Sequence, residues 1–167
     1  MNTKKLARAG IIASLYVILS LITFPVASGA IQFRLSEALC VLPLIFVEAV
    51  PALFVGCALS NLITGCALLD VLFGSLVTLF SAVLTFIFGK IIKNTPLKIT
   101  VGGFFPVMFN ALFLPLIWVW CYGALEYMYV YQALFLFISQ SISIYALGTP
   151  LFLSVIRLKN KGLRFFE

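Results

Sequence analysis

The sequence predicts an all-α polytopic membrane protein with six transmembrane helices and both termini in the cytoplasm. Three observations carry that expectation. The chain of 167 residues is 63% hydrophobic and only 10% charged, a balance typical of membrane proteins rather than soluble domains. Uncharged runs extend from Ala9 to Phe33, Ala49 to Leu69, Val71 to Gly89, Ile99 to Leu125 and Tyr127 to Ile156, each long enough to cross about 30 Å of hydrocarbon at 1.5 Å per residue. A sixth, shorter run lies between Glu37 and Glu48. With the N-terminus inside, ten of the eleven basic residues share the cytoplasmic face: Lys4, Lys5 and Arg8, then Lys90, Lys93 and Lys98, then Arg157, Lys159, Lys161 and Arg164. Only Arg34 is left outside. Lys and Arg concentrate in cytoplasmic loops, and a count of five or seven helices would scatter these clusters over both faces.

The first helix is expected from about Leu6 to Val26, loosened by Pro25 and followed by an outer loop at Ser28, Gly29 and Ala30. It exceeds the apolar core of a signal peptide and reads as a retained helix. A short second helix follows, with Ser36 as its N-cap and Glu37 in its first turn, where the helix dipole favours an acid. Pro43 is expected to kink it. The third helix climbs from an inner turn at Glu48 to about Leu68, and Asp70 marks the next outer turn. The fourth descends to Lys90, and Lys93 to Lys98 form the longest cytoplasmic loop. The fifth rises from Ile99 to Trp120, interrupted by Pro106 and Pro115, and the sixth descends from Met128 to Ile156. Trp118, Trp120, Tyr122, Tyr127, Tyr129 and Tyr131 crowd the outer end of this last pair, as an interfacial aromatic belt does. The whole chain, 1–167, is expected to form a single six-helix transmembrane domain, embedded in the bilayer.

Small residues recur at four-residue spacing, as in Ala9 and Ala13, Gly10 and Ser14, and Gly56, Ser60 and Thr64. Lipid supplies no hydrophobic drive between helices, so such seams let backbones approach and pack. Polar residues inside the runs are expensive and should face the bundle interior or water. Asn61 lies roughly 15 Å above the inner turn at Pro51, Asn110 roughly 18 Å above Lys98, and Gln140 roughly 21 Å below Glu126. Arg34, Glu37 and Asp70 fall at the outer mouth above them. Together they describe an outward-facing cup with amides below and charges at the rim. Each residue also has a plainer role: the amides as interhelical hydrogen bonds, Arg34 and Glu37 as a local pair, Asp70 as an exposed turn, Trp118 as a belt residue.

Several functions are excluded or disfavoured. The chain contains no histidine, so the commonest proton shuttle and metal ligand is missing and no metal or cofactor is expected. Cys40, Cys57, Cys66 and Cys121 have no C-x-x-C spacing and read as small apolar residues. No phosphate-binding loop is present; Gly89-Lys90 lacks the upstream glycine and the following Ser or Thr. The chain therefore should not hydrolyse ATP itself, nor act as an enzyme. Its formal charge of +6 lies in juxtamembrane clusters, which suit anionic lipid headgroups rather than nucleic acid.

The segment Gln32-Phe33-Arg34-Leu35-Ser36-Glu37-Ala38-Leu39 with Leu42-Pro43 resembles the signature of the QueT family of queuosine-precursor transporters. The likeness continues through Gly56-Cys57-Ala58-Leu59-Ser60-Asn61, the run from Asp70 to Leu79, and Phe105-Pro106-Val107-Met108-Phe109-Asn110-Ala111, in the same order over nearly the whole chain. The resemblance implies the substrate-binding S component of an energy-coupling factor (ECF) importer of the ABC type, in the plasma membrane of a prokaryote. Its partners would be a transmembrane coupling protein and two ATPases, docked through an Ala-x-x-x-Ala face that Ala9 and Ala13 match. The implied ligand is a 7-deazaguanine: queuine, or its 7-cyano or 7-aminomethyl precursor. A guanine-like edge offers paired N1-H and 2-amino donors to a carboxylate, and its O6 accepts from an amide or guanidinium. Glu37 is assigned to the donor edge or a cationic aminomethyl group, Asp70 to a cationic substituent, Asn61, Asn110, Gln140 and Arg34 to the remaining contacts, and Trp118 to stacking. The alternatives are an S component for riboflavin, thiamine, biotin or folate, or a self-sufficient carrier. A carrier should show internal repeats, and none is evident.

Overall fold

The computed structural model describes residues 3–27, 32–123, 125 and 128–161. The outer loop expected at Ser28 to Ala30, and Glu126, Tyr127 and Arg164, lie outside these residues. The chain is all-helical: α1 (Thr3–Ala27), a 3-10 helix (Leu35–Leu44), α2 (Ala49–Ile63), α3 (Leu68–Ile91), α4 (Thr95–Tyr122), α5 (Tyr129–Ser141), a π-helical segment (Ile142–Gly148) and α6 (Thr149–Asn160). The last three run on as one rod, Tyr129–Asn160. Among the described residues four helices are long and apolar enough to cross a membrane: Thr3–Pro25, Leu68–Ile91, Thr95–Tyr122 and Tyr129–Asn160. The remaining two, Leu35–Leu44 and Ala49–Ile63, are apolar but short.

The 3-10 helix is the centre of the bundle. It packs against α1, α2, α3, α4, the π segment and α6, and every residue from Ser36 to Leu44 is buried. The expected α-helix kinked at Pro43 is instead 3-10 along its length. At roughly 2.0 Å of rise per residue, this winding lets ten residues cover about 20 Å, where an α-helix would cover about 15 Å. Ser36 does not cap it. Arg34 holds the cap position without a side-chain capping bond, while Ser36, the second residue of the helix, is fully buried and accepts a hydrogen bond from Ser20 at 2.8 Å.

Neighbours approach this pillar through glycines. A Cβ on Gly89 would lie 2.9 Å from Leu44 Cα, and one on Gly148 would lie 2.9 Å from Val41 Cγ1 and 3.0 Å from the Ala38 carbonyl oxygen. On the other side, α1 and α2 meet where Gly56 faces Tyr16 and the Ala13 carbonyl. Ala9 and Ala13 are half-buried beside this seam, packed on a core that includes Ile12, Tyr16, Leu53 and Cys57. Gly10 and Ser14, one register position away, are exposed.

Two helix ends depart from the expected boundaries for identifiable reasons. α2 stops at Ile63 rather than Leu68, because Gly65 adopts φ 75°. Cys66 N–H then bonds the Asn61 carbonyl at 3.0 Å and Gly65 N–H the Leu62 carbonyl at 3.2 Å, the double closure of a Schellman turn. The loop expected from Lys93 to Lys98 is mostly helix. Asn94 Oδ1 accepts from Leu97 N–H at 3.3 Å, and Pro96 sits in the first turn, where its missing N–H costs nothing.

The basic clusters converge. Lys5, Arg8, Lys90 and Lys159, from three separate helices, line one cleft around Glu48. Arg8 Nε meets Glu48 Oε1 at 2.6 Å with both side chains buried, so losing either partner would strand a buried charge. Lys90 lies in the last turn of α3 and Asp70 in its first, so the basic end and the end bearing Asp70 are opposite.

Glycine substitutions test the central pillar. In a helix Gly→Ala normally stabilises by up to about 1 kcal/mol, and Gly10→Ala, with nothing within 4 Å of the new Cβ, should follow that rule. Gly89→Ala should reverse it, destabilising by about 1–3 kcal/mol as the methyl meets Leu44 backbone. Thermal melting in detergent reads both, and a Gly89→Ala protein as stable as Gly10→Ala would refute this packing.

Candidate functional site

The site begins with Glu37. It stands in the first turn of the 3-10 helix and is 3% exposed. A carboxylate there needs donors, because an unpaired buried charge is far more costly than an unpaired amide. Tyr16 Oη donates to Oε1 at 2.8 Å, while Asn110 Nδ2 at 3.1 Å and the Cys40 thiol at 3.3 Å donate to Oε2. A carboxylate accepts about four hydrogen bonds, so with respect to the described residues one acceptor position remains, on Oε1. These contacts fasten α1, α4 and the 3-10 helix to one side chain.

Arg34 does not pair with Glu37. Its Nη1 reaches Asn61 Oδ1 on α2 at 3.4 Å, a long and therefore weak bond. Asn61 Nδ2 lies 3.8 Å from Cys57 Sγ, which also receives Thr78 Oγ1 at 3.4 Å. Asp70 is no exposed turn residue. It is 6% exposed, sits at the N-terminus of α3 where the dipole favours it, and accepts a hydrogen bond from Tyr122 at 3.2 Å, with Trp118 lining the same cleft. Tyr122 Oη accepts in turn from Ala67 N–H at 3.1 Å. Gly74 lies between the carboxylate and the amide: a Cβ there would sit 3.4 Å from Asp70 Oδ1 and 3.5 Å from Asn61 Nδ2.

Arg34, Glu37, Asn61, Asp70, Asn110 and Trp118 all line one cleft, with Cys57 and Thr78 beside them. The cleft holds about 280 Å³ of empty space counting its mouth, and leaves about 10 Å³ for the centres of water-sized spheres, room for about one water. Arg34 and Asn61 also line a second, equally tight space with Ser20, Phe24, Ser60 and Thr64, which likewise leaves about 10 Å³ for the centres of water-sized spheres. The two spaces share Arg34 and Asn61 as lining residues, so a swing of Arg34 would reshape both.

Six of the seven ligand-contact residues expected from the sequence therefore share one cleft. Gln140 does not line it. It is buried near the end of α5, and its Oε1 has no hydrogen-bond partner among the described residues. The expected layering is also altered. Glu37 is at the level of Asn110, to which it is bonded, rather than on a rim above the amides, because the whole 3-10 helix is buried. Tyr16, Cys57, Thr78 and Tyr122 were not foreseen as partners. For Tyr16 a signal exists: Tyr16, Ser20 and Thr23 form a polar stripe of helical period on an otherwise apolar α1, and all three are buried. Among the described residues no cluster of metal-ligating side chains occurs.

Long apolar helices enclosing a polar, charged cleft that opens at one end are the build of a membrane transporter. A family model described as QueT transporter matches residues 6–157, and the chain belongs to that family. No curated relative and no solved structure matches the chain significantly.

Proposed function

We propose that this chain is the substrate-binding S component of an ECF-type importer and captures a queuosine precursor from outside the cell. Membership of the QueT transporter family supports a transporter, and the lack of a phosphate-binding loop in the sequence supports an external source of energy. The observation that carries the ligand class is the cleft itself, where two carboxylates, two amides, a guanidinium and an indole converge. A 7-deazaguanine needs that set. Its N1-H and 2-amino donors meet the free acceptor position on Glu37 Oε1 and, once the weak Cys40 thiol contact yields, Oε2. Its O6 accepts from Arg34 or an amide, Trp118 covers its plane, and Asp70 meets a cationic 7-substituent. Since the cleft and the neighbouring space each have room for about one water, binding must widen the site, and the weak Arg34–Asn61 contact that both share is the contact that yields. Gln140 stands in reserve as a contact beyond the cleft.

The membrane frame follows from charge. On this reading the basic clusters lie at the cytoplasmic end and the cleft at the outer end, and six helical passes with both termini inside, in the plasma membrane of a prokaryote, would present Glu37 outward. The single-domain chain then needs partners: a transmembrane coupling protein and two ATPases. The small face of α1, with Ala9 and Ala13 at the edge of the α2 seam and Gly10 and Ser14 outward, offers the close helix approach that docking in lipid demands. An S component for another vitamin, or a self-sufficient carrier, would share the fold but not require this donor and acceptor set.

Calorimetric titration of the detergent-purified chain with queuine, its 7-cyano and 7-aminomethyl precursors, and guanine tests the ligand. Nanomolar binding of one deazaguanine is expected, with guanine at least tenfold weaker; binding of riboflavin or thiamine with no response to any deazaguanine would overturn it. For the partner, Ala9→Trp with Ala13→Trp should abolish co-purification with the coupling module while ligand binding persists. Undiminished co-purification would remove this face from the docking surface.

A further inference from the structure

At the end opposite the ligand cleft, Lys5 from α1, Lys90 from α3 and Lys159 from α6 open onto one cleft with Arg8, Glu48, Phe46 and Phe86. It is roomier than the outer one, with about 230 Å³ for the centres of water-sized spheres. Its one carboxylate, Glu48, is already engaged by Arg8. Among the described residues Lys5, Lys90 and Lys159 have no carboxylate within ion-pair reach, and all three are exposed. Lys90 Nζ sits 4.6 Å from the centroid of the Phe86 ring, a cation–π contact that holds the ammonium over an apolar floor.

We propose that this cleft is a binding site for the headgroup of an anionic phospholipid of the adjoining leaflet. Two features select a lipid over other anions. The lysines surround a floor of Ile45, Phe46 and Phe86, which suits the glycerol ester region behind a phosphodiester. Exposed apolar side chains flank each lysine along its helix, Leu6 beside Lys5, Ile87 and Ile91 around Lys90, and Leu158 beside Lys159, so acyl chains have surface to lie on. Basic pockets between helix ends at headgroup depth hold anionic lipids in this way. The site ties α1 to α3 and α6 through a shared anion, beside the buried Arg8–Glu48 pair that fastens α1 to the start of α2. It is distinct from the ligand cleft, and the proposal does not depend on which substrate the outer cleft takes.

The test titrates the full chain in mixed micelles with phosphatidylglycerol, phosphatidylcholine or inorganic phosphate. Two variants of equal charge are compared: Lys5→Gln with Lys90→Gln and Lys159→Gln, and a control carrying Lys93→Gln, Lys98→Gln and Lys161→Gln. Phosphatidylglycerol should bind the native chain saturably and at least tenfold more tightly than phosphatidylcholine. The cleft variant should lose at least tenfold in that affinity, the control less than threefold. Equal losses in both variants would mean diffuse attraction and overturn the site. Displacement of the lipid by millimolar inorganic phosphate would reassign it to a soluble anion. A cleft variant that binds lipid normally but fails to co-purify with the coupling protein would reassign it to a protein contact. Because the substituted lysines are exposed, melting temperatures should match the native chain, and ligand titration at the outer cleft confirms the fold of each variant.

Discussion

A carboxylate inside an apolar bundle has to be surrounded by donors, and the arrangement of this molecule turns on how Glu37 meets that demand. Tyr16 and Asn110 come from helices separated from it by 21 and 73 residues, so satisfying one side chain fixes where α1 and α4 stand relative to the central 3-10 helix. Fully satisfied buried networks specify a unique arrangement, and partly satisfied ones are costly. With one acceptor position unused, Glu37 is both a structural node and a point of attack for a ligand with a hydrogen-bond donor. Arg34 and Asn61 are held more loosely, through contacts of 3.4 Å and 3.8 Å. The difference matters for function: the floor stays in place while the parts nearer the mouth can rearrange.

The central helix explains how so small a chain encloses a polar site. Its ten residues are screened from lipid by the other segments, so they need not span the bilayer, and 3-10 winding stretches them. Bulk is removed from the neighbours instead, at Gly89, Gly102 and Gly148, each of which faces this helix. The π-helical segment that receives it, Ile142–Gly148, is of the kind often found at functional positions.

Much of this was legible in the sequence. The uncharged runs from Ala9, Val71, Ile99 and Tyr127 locate the four helices long enough to cross a membrane, while the run from Ala49 yields only the short Ala49–Ile63 helix, and the charge clusters bring Lys5, Lys90 and Lys159 to one end. Counting depth along the helices brings Arg34, Glu37, Asn61, Asp70, Asn110 and Trp118 to one region. What counting cannot supply is azimuth. Gln140 has suitable depth but lies outside the cleft, and the change of winding immediately after α5 alters which residues face inward. Pro43 signals only that an α-helix is disturbed, not that the segment is 3-10. The start of the second helix after an outer loop suggests a rim position for Glu37, and nothing in the local sequence shows that this start is buried against Asn110. The Arg8–Glu48 pair joins residues forty positions apart, and no local pattern announces it.

The central claim is that Glu37 recognises the donor edge of the ligand, and calorimetry on Glu37→Gln tests it most directly. The substitution preserves shape: its amide oxygen still accepts from Tyr16, and Asn110, which donates to the other oxygen in the native chain, can turn its amide to present Oδ1 to the new NH2, so the fold should persist, as a cooperative melt would verify. One carboxylate oxygen becomes an NH2 group, which faces the ligand's N1-H and 2-amino donors with a third donor. Deazaguanine affinity is therefore expected to fall at least a hundredfold, about 2.7 kcal/mol, within the range for charge-assisted hydrogen bonds. A folded Glu37→Gln protein that binds the deazaguanine as tightly as the native chain would contradict the account.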